Sequence, residues 1–216
     1  QSDKLAISQS GISSSQSTVK PIQFRAEQTS YQLGSDQKTL SVILTGQTAD
    51  NLKVTKTYVF NRDDYAIHMT QQIENIGTET WAGSVYQQIT RRNYPVKTST
   101  HVRSYTGAAY SSPDVPYKKL PFKTLDKTAL SQNITGGWVA MQEPYFLTAW
   151  VPQSTKTFHY YSHVRPSTEG TQTENIYTLG YVSPQEQLAP GNSLISTAQL
   201  FVGPELIPQL KNVSPN

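Results

Sequence analysis

Residues 136–152, with the sequence GGWVAMQEPYFLTAWVP, decide the fold class. This is the most apolar stretch of the chain, and it holds two of the three tryptophans. Pro144 has no N–H to give to a strand ladder, so the stretch predicts two strands with a break at residues 142–144. In the second strand Phe146 and Trp150 share one face, and both faces carry few polar side chains. We therefore expect this strand to be covered on both sides, at the centre of a sheet.

The composition favours strands and turns over helices. Charged residues make up 15% of the 216 residues, which include 13 Tyr and 13 Pro. The clearest period-two pattern is a predicted hairpin, in which Leu52 and Val54 begin an apolar face that only Lys56 interrupts, and Met69 lies on the returning strand. Roughly twelve short strands predict an all-β fold of two large antiparallel sheets packed face to face, in a single domain of residues 1–216.

Eight residues are predicted to form the structural core. They are Tyr58, Phe60, Tyr65, Gly107, Trp138, Phe146, Trp150 and Gly203. After the alternating segment at residues 193–202, the apolar residues Leu206, Ile207 and Leu210 follow the spacing of a helix. This spacing predicts a short helix within residues 204–216.

The composition also excludes several function classes. The chain has no Cys, which excludes disulfides, thiolate metal sites and a Cys nucleophile. No stretch approaches the roughly 18 consecutive apolar residues that a membrane span needs. Because the chain shows neither an initiator Met nor a signal sequence, we interpret it as a piece of a longer protein. The net charge of +3 is too small to indicate a nucleic-acid partner.

Positive charge is concentrated in residues 91–127. This segment contains eight Lys and Arg and two Asp, a net charge of +6, whereas the rest of the chain carries −3. It has no sustained periodicity, and a connection this long is usually functional or carries small elements of its own. Two interpretations stay open: a surface that meets anionic lipid headgroups or an acidic partner, and an ordinary solvated surface.

No catalytic or metal motif is recognisable in the sequence. His159 and His163 are four residues apart, but their neighbours favour a strand, on which the rings would lie about 13 Å apart, too far to share a metal ion. Sugar-processing enzymes pair a carboxylate with a histidine in an open cleft. The candidates here are Glu143 and Glu186 with His101, His159 or His163. Because the spacing selects no pair, we expect no enzymatic activity, no metal site and no cofactor.

Five stretches, taken in order along the chain, resemble a known family. They are TYVFNRDDYAI at 57–67, TGAAYSSPD at 106–114, GGWVAM at 136–141, YFLTAWVP at 145–152 and VGPE at 202–205. In these motifs and their spacing the chain is similar to the large periplasmic domain of the YidC-type membrane protein insertases, of the YidC/Oxa family, which occur in bacteria with an outer membrane.

The resemblance implies a β-supersandwich of the galactose-mutarotase type that ends in a helix. It also implies a position at the periplasmic face of the bacterial inner membrane and a non-catalytic role as an interaction platform. The implied partners are the SecD–SecF auxiliary complex and the Sec translocon. Nascent inner-membrane proteins would be met by a membrane core that lies outside this chain.

For partner contact, the resemblance points to the region that contains residues 106–114, within the basic segment. Aromatic and cationic side chains commonly anchor protein interfaces. The candidate contact residues are Arg103, Tyr105, Tyr110, Tyr117, Lys118 and Lys119. Three alternatives stay open: residues 107–109 are only a tight structural element that needs small side chains, the chain is a sugar-binding or mutarotase-like protein, or it is a structural spacer.

Overall fold

The computed structural model describes residues 6–14, 21–93, 105–167 and 174–204. These residues form fifteen strands and one short helix. The strands are β1 (Ala6–Ser14), β2 (Arg25–Ala26), β3 (Thr39–Gln47), β4 (Leu52–Asn61), β5 (Ala66–Asn75), β6 (Trp81–Arg92), β7 (Gly107–Ser111), β8 (Lys118–Leu120), β9 (Ser131–Thr135), β10 (Trp138–Gln142), β11 (Phe146–Pro152), β12 (Thr157–Pro166), β13 (Asn175–Val182), β14 (Glu186–Leu188) and β15 (Ser193–Pro204), and the helix is α1 (Phe122–Leu125).

The strands assemble into two antiparallel sheets whose inner faces pack against each other. The six-stranded sheet has the order β1–β6–β13–β12–β9, with β14 also paired to β6. The nine-stranded sheet has the order β2–β3–β4–β5–β15–β11–β10–β7–β8. The predicted fold class, an all-β supersandwich of two large antiparallel sheets, is therefore confirmed.

The stretch at residues 136–152 forms two inner strands of the nine-stranded sheet, β10 and β11. They pair antiparallel, with Val139 opposite Trp150. Between them the chain turns, and the N–H of Glu143 donates to the carbonyl of Phe146 at 2.8 Å. The predicted pair of strands, the break between them and the inner position are all confirmed.

Three clusters of buried apolar side chains form the core. The largest lies between the two sheets and includes Met69 and Trp150. The second gathers around Trp81, in another part of the same interior. The third contains Ala149 and Phe201, on the face of β11 opposite to Trp150. The C-terminal part of β11 is therefore buried on both faces.

Five of the eight predicted core residues are buried or half-buried. Gly107, Trp150 and Gly203 are buried. Tyr58 and Trp138 are half-buried and pack against the first and third clusters. Tyr58 and Trp150 therefore face the other sheet, whereas Trp138 packs on the opposite face of the nine-stranded sheet.

The other three predicted core residues are exposed: Phe60 is 37% exposed, Tyr65 is 44% exposed and Phe146 is 60% exposed. Phe60 and Phe146 lie at the ends of β4 and β11, beyond the main cluster. Tyr65 precedes β5, and its ring contacts Phe201 with centroids 6.3 Å apart. The prediction is wrong here because alternation decides which face a side chain occupies, not how far the opposing sheet extends over that face.

The aperiodic basic segment carries small elements of its own. β7 and β8 extend the nine-stranded sheet beyond β10, and α1 follows β8 closely. Phe122 of α1 stacks on Tyr177 of β13 with ring centroids 4.2 Å apart, and the Tyr177 hydroxyl donates to Asp126 Oδ1 at 2.7 Å. These contacts hold α1 against the six-stranded sheet. The predicted helix at the C-terminus lies, beyond Pro204, outside the described residues.

A layer of polar side chains separates the two apolar clusters between the sheets. The layer consists of Lys56 on β4, Gln71 on β5 and Gln87 on β6. On each strand, the inward-facing neighbour on one side belongs to or packs against the first cluster, and the neighbour on the other side belongs to the second cluster. All three are buried, with exposures of 6%, 0% and 1%. Lys56 Nζ donates to Ser10 O at 2.6 Å and to Ser10 Oγ at 2.9 Å. The lysine that interrupts the apolar face of β4 therefore lies inside the sandwich and connects the two sheets.

Replacing the central tryptophan tests the location of the core. We expect Trp150→Ala to lower the free energy of unfolding by about 3–5 kcal/mol, because it leaves a cavity in the main cluster. Phe146→Ala on the same strand is the matched control, and it should cost less than about 1 kcal/mol because this ring is 60% exposed. Urea denaturation followed by circular dichroism measures both losses. Equal losses would contradict the assigned core.

The buried lysine predicts a pH dependence of stability. Burial lowers the pKa of Lys56 from 10.5 to about 8. Between these values the folded chain binds fewer protons than the unfolded chain, so the free energy of unfolding rises with pH across this window. We expect a rise of about 1–2 kcal/mol between about pH 7 and about pH 9.5. The two hydrogen bonds to Ser10 favour the charged form and keep the rise small.

Urea denaturation at the two pH values measures this rise in three proteins. It should disappear in Lys56→Met, which has no ammonium to titrate. Lys53→Met is the matched control and should keep it, because the Lys53 side chain is 50% exposed and points to the other face of β4. If Lys56→Met and the unmodified chain show the same pH dependence, Lys56 is not the group responsible.

Candidate functional site

Aromatic and lysine side chains gather at one edge of the nine-stranded sheet, where β8 pairs with β7. The register places Lys118 opposite Tyr110 and Lys119 opposite Ala109. Both lysines are exposed, and they leave the edge strand on opposite faces. We call the following residues the aromatic–lysine surface: Tyr105, Tyr117, Lys118, Lys119 and Trp138.

Lys119 contacts two tyrosine rings. Its Nζ lies 4.8 Å from the centroid of the Tyr105 ring and 5.9 Å from that of the Tyr117 ring. Cation–π attraction at exposed sites is worth about 0.5–1 kcal/mol. Tyr117 is itself 44% exposed. The rings therefore orient the ammonium while leaving it accessible to a partner.

Tyr105 is held in this surface by a hydrogen bond to the backbone. Its hydroxyl donates to the carbonyl of Ala108 at 2.6 Å. Burial, with a smaller contribution from Tyr117, raises the pKa of Tyr105 well above its ordinary value, so the hydroxyl stays a donor. A Cβ at Gly107 would lie 2.4 Å from the Tyr105 hydroxyl oxygen. The lack of a side chain at Gly107 is thus needed for this packing and supports the position of the ring.

Tyr117 connects the lysine to the inner strand β10. Its ring centroid lies 5.9 Å from that of Trp138, with the ring planes inclined at 40°. Its hydroxyl donates to Gln142 Oε1 at 2.6 Å. Trp138 in turn packs against the third apolar cluster. The exposed tyrosine is therefore held at its ring and at its hydroxyl, by residues at the two ends of one strand.

Arg91 anchors Gln142 from the opposite sheet. The arginine is 1% exposed, and its Nη1 donates to the carbonyl of Gln142 at 3.0 Å. Its Nη2 lies 3.2 Å from Glu143 Oε1. Buried charges are normally paired in this way, because an isolated charge in the interior is costly. Through Gln142, the interior of the sandwich is joined to Tyr117 on the surface.

Two charges of the basic segment are buried and do not belong to a surface. Arg91 and Arg92 are 1% and 8% exposed. The reason is that β6 continues through Arg92, so these side chains belong to a covered strand. Among the described residues, the exposed cations of the segment are Lys118, Lys119, Lys123 and Lys127.

Four of the six predicted contact residues lie in the aromatic–lysine surface. Tyr110 does not: it is 2% exposed, and its hydroxyl donates to Gln132 Oε1 at 3.1 Å. It is therefore unavailable to a partner, although Lys118 Nζ lies 6.0 Å from its ring centroid. The strand alternation turns Tyr110 inward, towards the main cluster. Arg103 lies outside the described residues.

The acidic side chains considered for catalysis pair with basic ones. Glu143 pairs with a buried arginine and Glu186 with a lysine. His159 and His163 both lie on β12, so the strand interpretation of this stretch is confirmed. His101 lies outside the described residues.

Sequence reasoning missed two residues of the site and assigned a third only to the core. Arg91 and Gln142 support the surface from below, and Trp138 contributes to it directly. The contact between Arg91 and Gln142 crosses from one sheet to the other, so no local spacing reports it. The available signal was the motif at residues 106–114, which lies beside Trp138 and Gln142 in the nine-stranded sheet.

Removing the buried arginine tests its anchoring role. We expect Arg91→Ala to lower the free energy of unfolding by about 2–4 kcal/mol, because it deletes a buried charge partner and leaves a cavity. Lys118→Ala is the control for loss of a positive charge at an exposed position, and it should cost less than about 0.5 kcal/mol. Urea denaturation measures both. A loss as small as that of the control would show that Arg91 is not structural.

The chain matches known sequences along its whole length. A family model for the YidC periplasmic domain covers residues 1–216. The membrane protein insertase YidC of Coxiella burnetii (strain RSA 493 / Nine Mile phase I) is 45% identical over 215 residues, which is 99% of this chain and 38% of that protein. The membrane protein insertase YidC of Nitrosococcus oceani is 37% identical over 215 residues, 98% of this chain and 38% of that protein. The chain thus spans 38% of the length of these relatives.

Solved structures of distant sequence share the fold. The GH36 α-galactosidase AgaB from Geobacillus stearothermophilus superposes with a TM-score of 0.55 and 10% identity, over 94% of this chain and 30% of that chain. The α-galactosidase from Lactobacillus brevis superposes with a TM-score of 0.54 and 10% sequence identity, over 93% of this chain and 29% of that chain. At this identity the likeness concerns the fold alone.

Within residues 6–14, 21–93, 105–167 and 174–204, no helix has the length and apolar character of a membrane span. The two insertase relatives align with this chain over nearly its whole length, and the family model leaves no part of it unmatched. The chain therefore belongs to the YidC periplasmic domain family.

Proposed function

We propose that this chain serves as the periplasmic interaction platform of a membrane protein insertase and has no catalytic centre of its own. Its partners would be the SecD–SecF auxiliary complex and the Sec translocon, at the periplasmic face of the bacterial inner membrane. Insertion and folding of nascent inner-membrane proteins would take place in the membrane core of the longer protein. The observation that carries this proposal is an exposed lysine, Lys119, oriented by two tyrosine rings.

The aromatic–lysine surface has the features of an interface anchor. Tyrosine and tryptophan side chains contribute much of the binding energy at many protein interfaces. The ring of Tyr117 is already held by Trp138 and Gln142, so it loses little conformational entropy when a partner binds. Lys118 and Lys119 favour an acidic partner surface. These features support docking over a spacer role, and contact of the same lysines with anionic lipid headgroups stays a prediction.

The pairing of the acidic residues supports a non-catalytic role. A general acid or base must reach the substrate with a free carboxyl group. Glu143 and Glu186 are instead engaged with Arg91 and Lys156. The likeness to α-galactosidases concerns the fold and is not evidence of enzymatic activity. A platform is therefore better supported than a sugar-processing enzyme.

Charge reversal tests the docking surface. The double variant Lys118→Glu/Lys119→Glu should weaken binding to the purified SecD–SecF complex by about tenfold or more, because it places negative charge against an acidic partner. The matched control is Lys38→Glu/Lys123→Glu, which makes the same change in net charge at two exposed positions outside the surface. Biolayer interferometry at constant ionic strength measures the affinities.

Three results would count against the proposal. Unchanged affinity of the Lys118→Glu/Lys119→Glu variant would reject this surface. An equal loss in the control would show that only net charge matters. Saturable quenching of tryptophan fluorescence by hexoses would favour the sugar-binding alternative.

A further inference from the structure

A cavity of about 310 Å³ lies between β1 and the β4–β5 hairpin, beside the polar layer of the interior. Its volume is at the lower end of the range for small-molecule sites. Apolar and polar side chains both contribute to its walls. They include Ile12, Phe24, Val54, Lys56, Gln71 and Tyr86.

The cavity contains a cation without an acidic partner in the described part of the chain. Lys56 is 6% exposed, and its two hydrogen bonds go to the carbonyl and the hydroxyl of Ser10. Its Nζ also lies 4.6 Å from the centroid of the Phe24 ring. None of the ion pairs among the described residues includes Lys56. Since buried charges are normally paired, the third N–H of this ammonium is available to an anion.

An unused acceptor belongs to a residue in the wall of the cavity. Gln71 faces Lys56 across the β4–β5 register and is 0% exposed. Its Nε2 lies 3.5 Å from the carbonyl of Gly11, whereas its Oε1 has no hydrogen-bond partner among the described residues. A buried amide oxygen without a partner costs about 1–3 kcal/mol. This oxygen has no accessible surface in the structure, so the Gln71 amide must turn towards the cavity before a donor group on a ligand can satisfy it.

The other side chains that line the cavity determine which part of a ligand, apart from its charged and polar groups, can fit there. Phe24, Ile12 and Val54 present apolar surface, and no Asp or Glu is among the described residues that line the cavity. An acidic wall would repel an anion, and an entirely polar wall would favour a sugar. The combination here fits a molecule with one negative charge, one donor and a short aliphatic body.

We propose that this cavity binds a small hydroxycarboxylic acid with an aliphatic body. The carboxylate pairs with Lys56 Nζ, the hydroxyl donates to Gln71 Oε1, and the body packs on Phe24. The ligand thereby supplies the counter-charge and the hydrogen-bond donor that the interior lacks. The site lies on other strands than the aromatic–lysine surface and does not depend on the proposed docking function.

Three related probes separate these contributions by isothermal titration calorimetry on the 216-residue chain. Hydroxyisocaproate carries all three features, isocaproate lacks the hydroxyl, and isohexanol lacks the charge. We expect saturable binding of hydroxyisocaproate, binding of isocaproate that is about fivefold weaker, and no measurable binding of isohexanol. Absence of hydroxyisocaproate binding, or equal binding of isohexanol, would overturn the proposal.

Two variants and one control locate the site. Lys56→Met should weaken hydroxyisocaproate binding by about tenfold or more. Gln71→Met should abolish the preference for hydroxyisocaproate over isocaproate. Lys53→Met changes an exposed lysine on the other face of β4 and should leave binding unchanged. Undiminished binding by folded Lys56→Met would overturn the proposal.

A crystal structure of the unmodified chain with hydroxyisocaproate tests the same proposal without a substitution. Carboxylate density within hydrogen-bond distance of Lys56 Nζ would support it. An empty cavity at saturating ligand, or ligand bound only elsewhere, would overturn it.

Discussion

Two buried cations connect the two sheets of the sandwich. Lys56 reaches from the nine-stranded sheet to the carbonyl of Ser10 in the six-stranded sheet, and Arg91 reaches in the opposite direction to the carbonyl of Gln142. Apolar contacts supply most of the stabilisation between the sheets, but they are not directional. Hydrogen bonds from a charged donor to one carbonyl are directional, so they define how the sheets are aligned.

Each cation leads to one of the two candidate sites. Arg91 holds Gln142, and Gln142 accepts the hydroxyl of Tyr117, so the exposed tyrosine is positioned from the interior. Lys56 lines the cavity beside β1 and has no acidic partner among the described residues. A buried ion pair is by itself a weak source of stability. We infer that the two cations contribute specificity instead, Arg91 to the alignment of the sheets and Lys56 to the proposed ligand site.

The two candidate sites were predictable to different degrees. Tyr117 and Lys119 follow from the resemblance and from the residue types that anchor interfaces. Tyr110 carries the same chemistry in the same segment, yet its side chain turns into the core. The cavity was not predictable, because Lys56 reads in the sequence as an interruption of an apolar face. Its burial depends on the sheet that lies opposite.

The sequence by itself determined the β4–β5 hairpin, the break before β11, the all-β fold class and the family, because alternation, proline and short motifs are properties of neighbouring residues. Only the tertiary structure decided which alternating side chains are covered. Phe146 and Trp150 share a face of one strand, but one is 60% exposed and the other 2% exposed. The bonds that matter most join residues 46 and 51 positions apart in the chain. Such pairs depend on how two sheets meet, which no local pattern encodes.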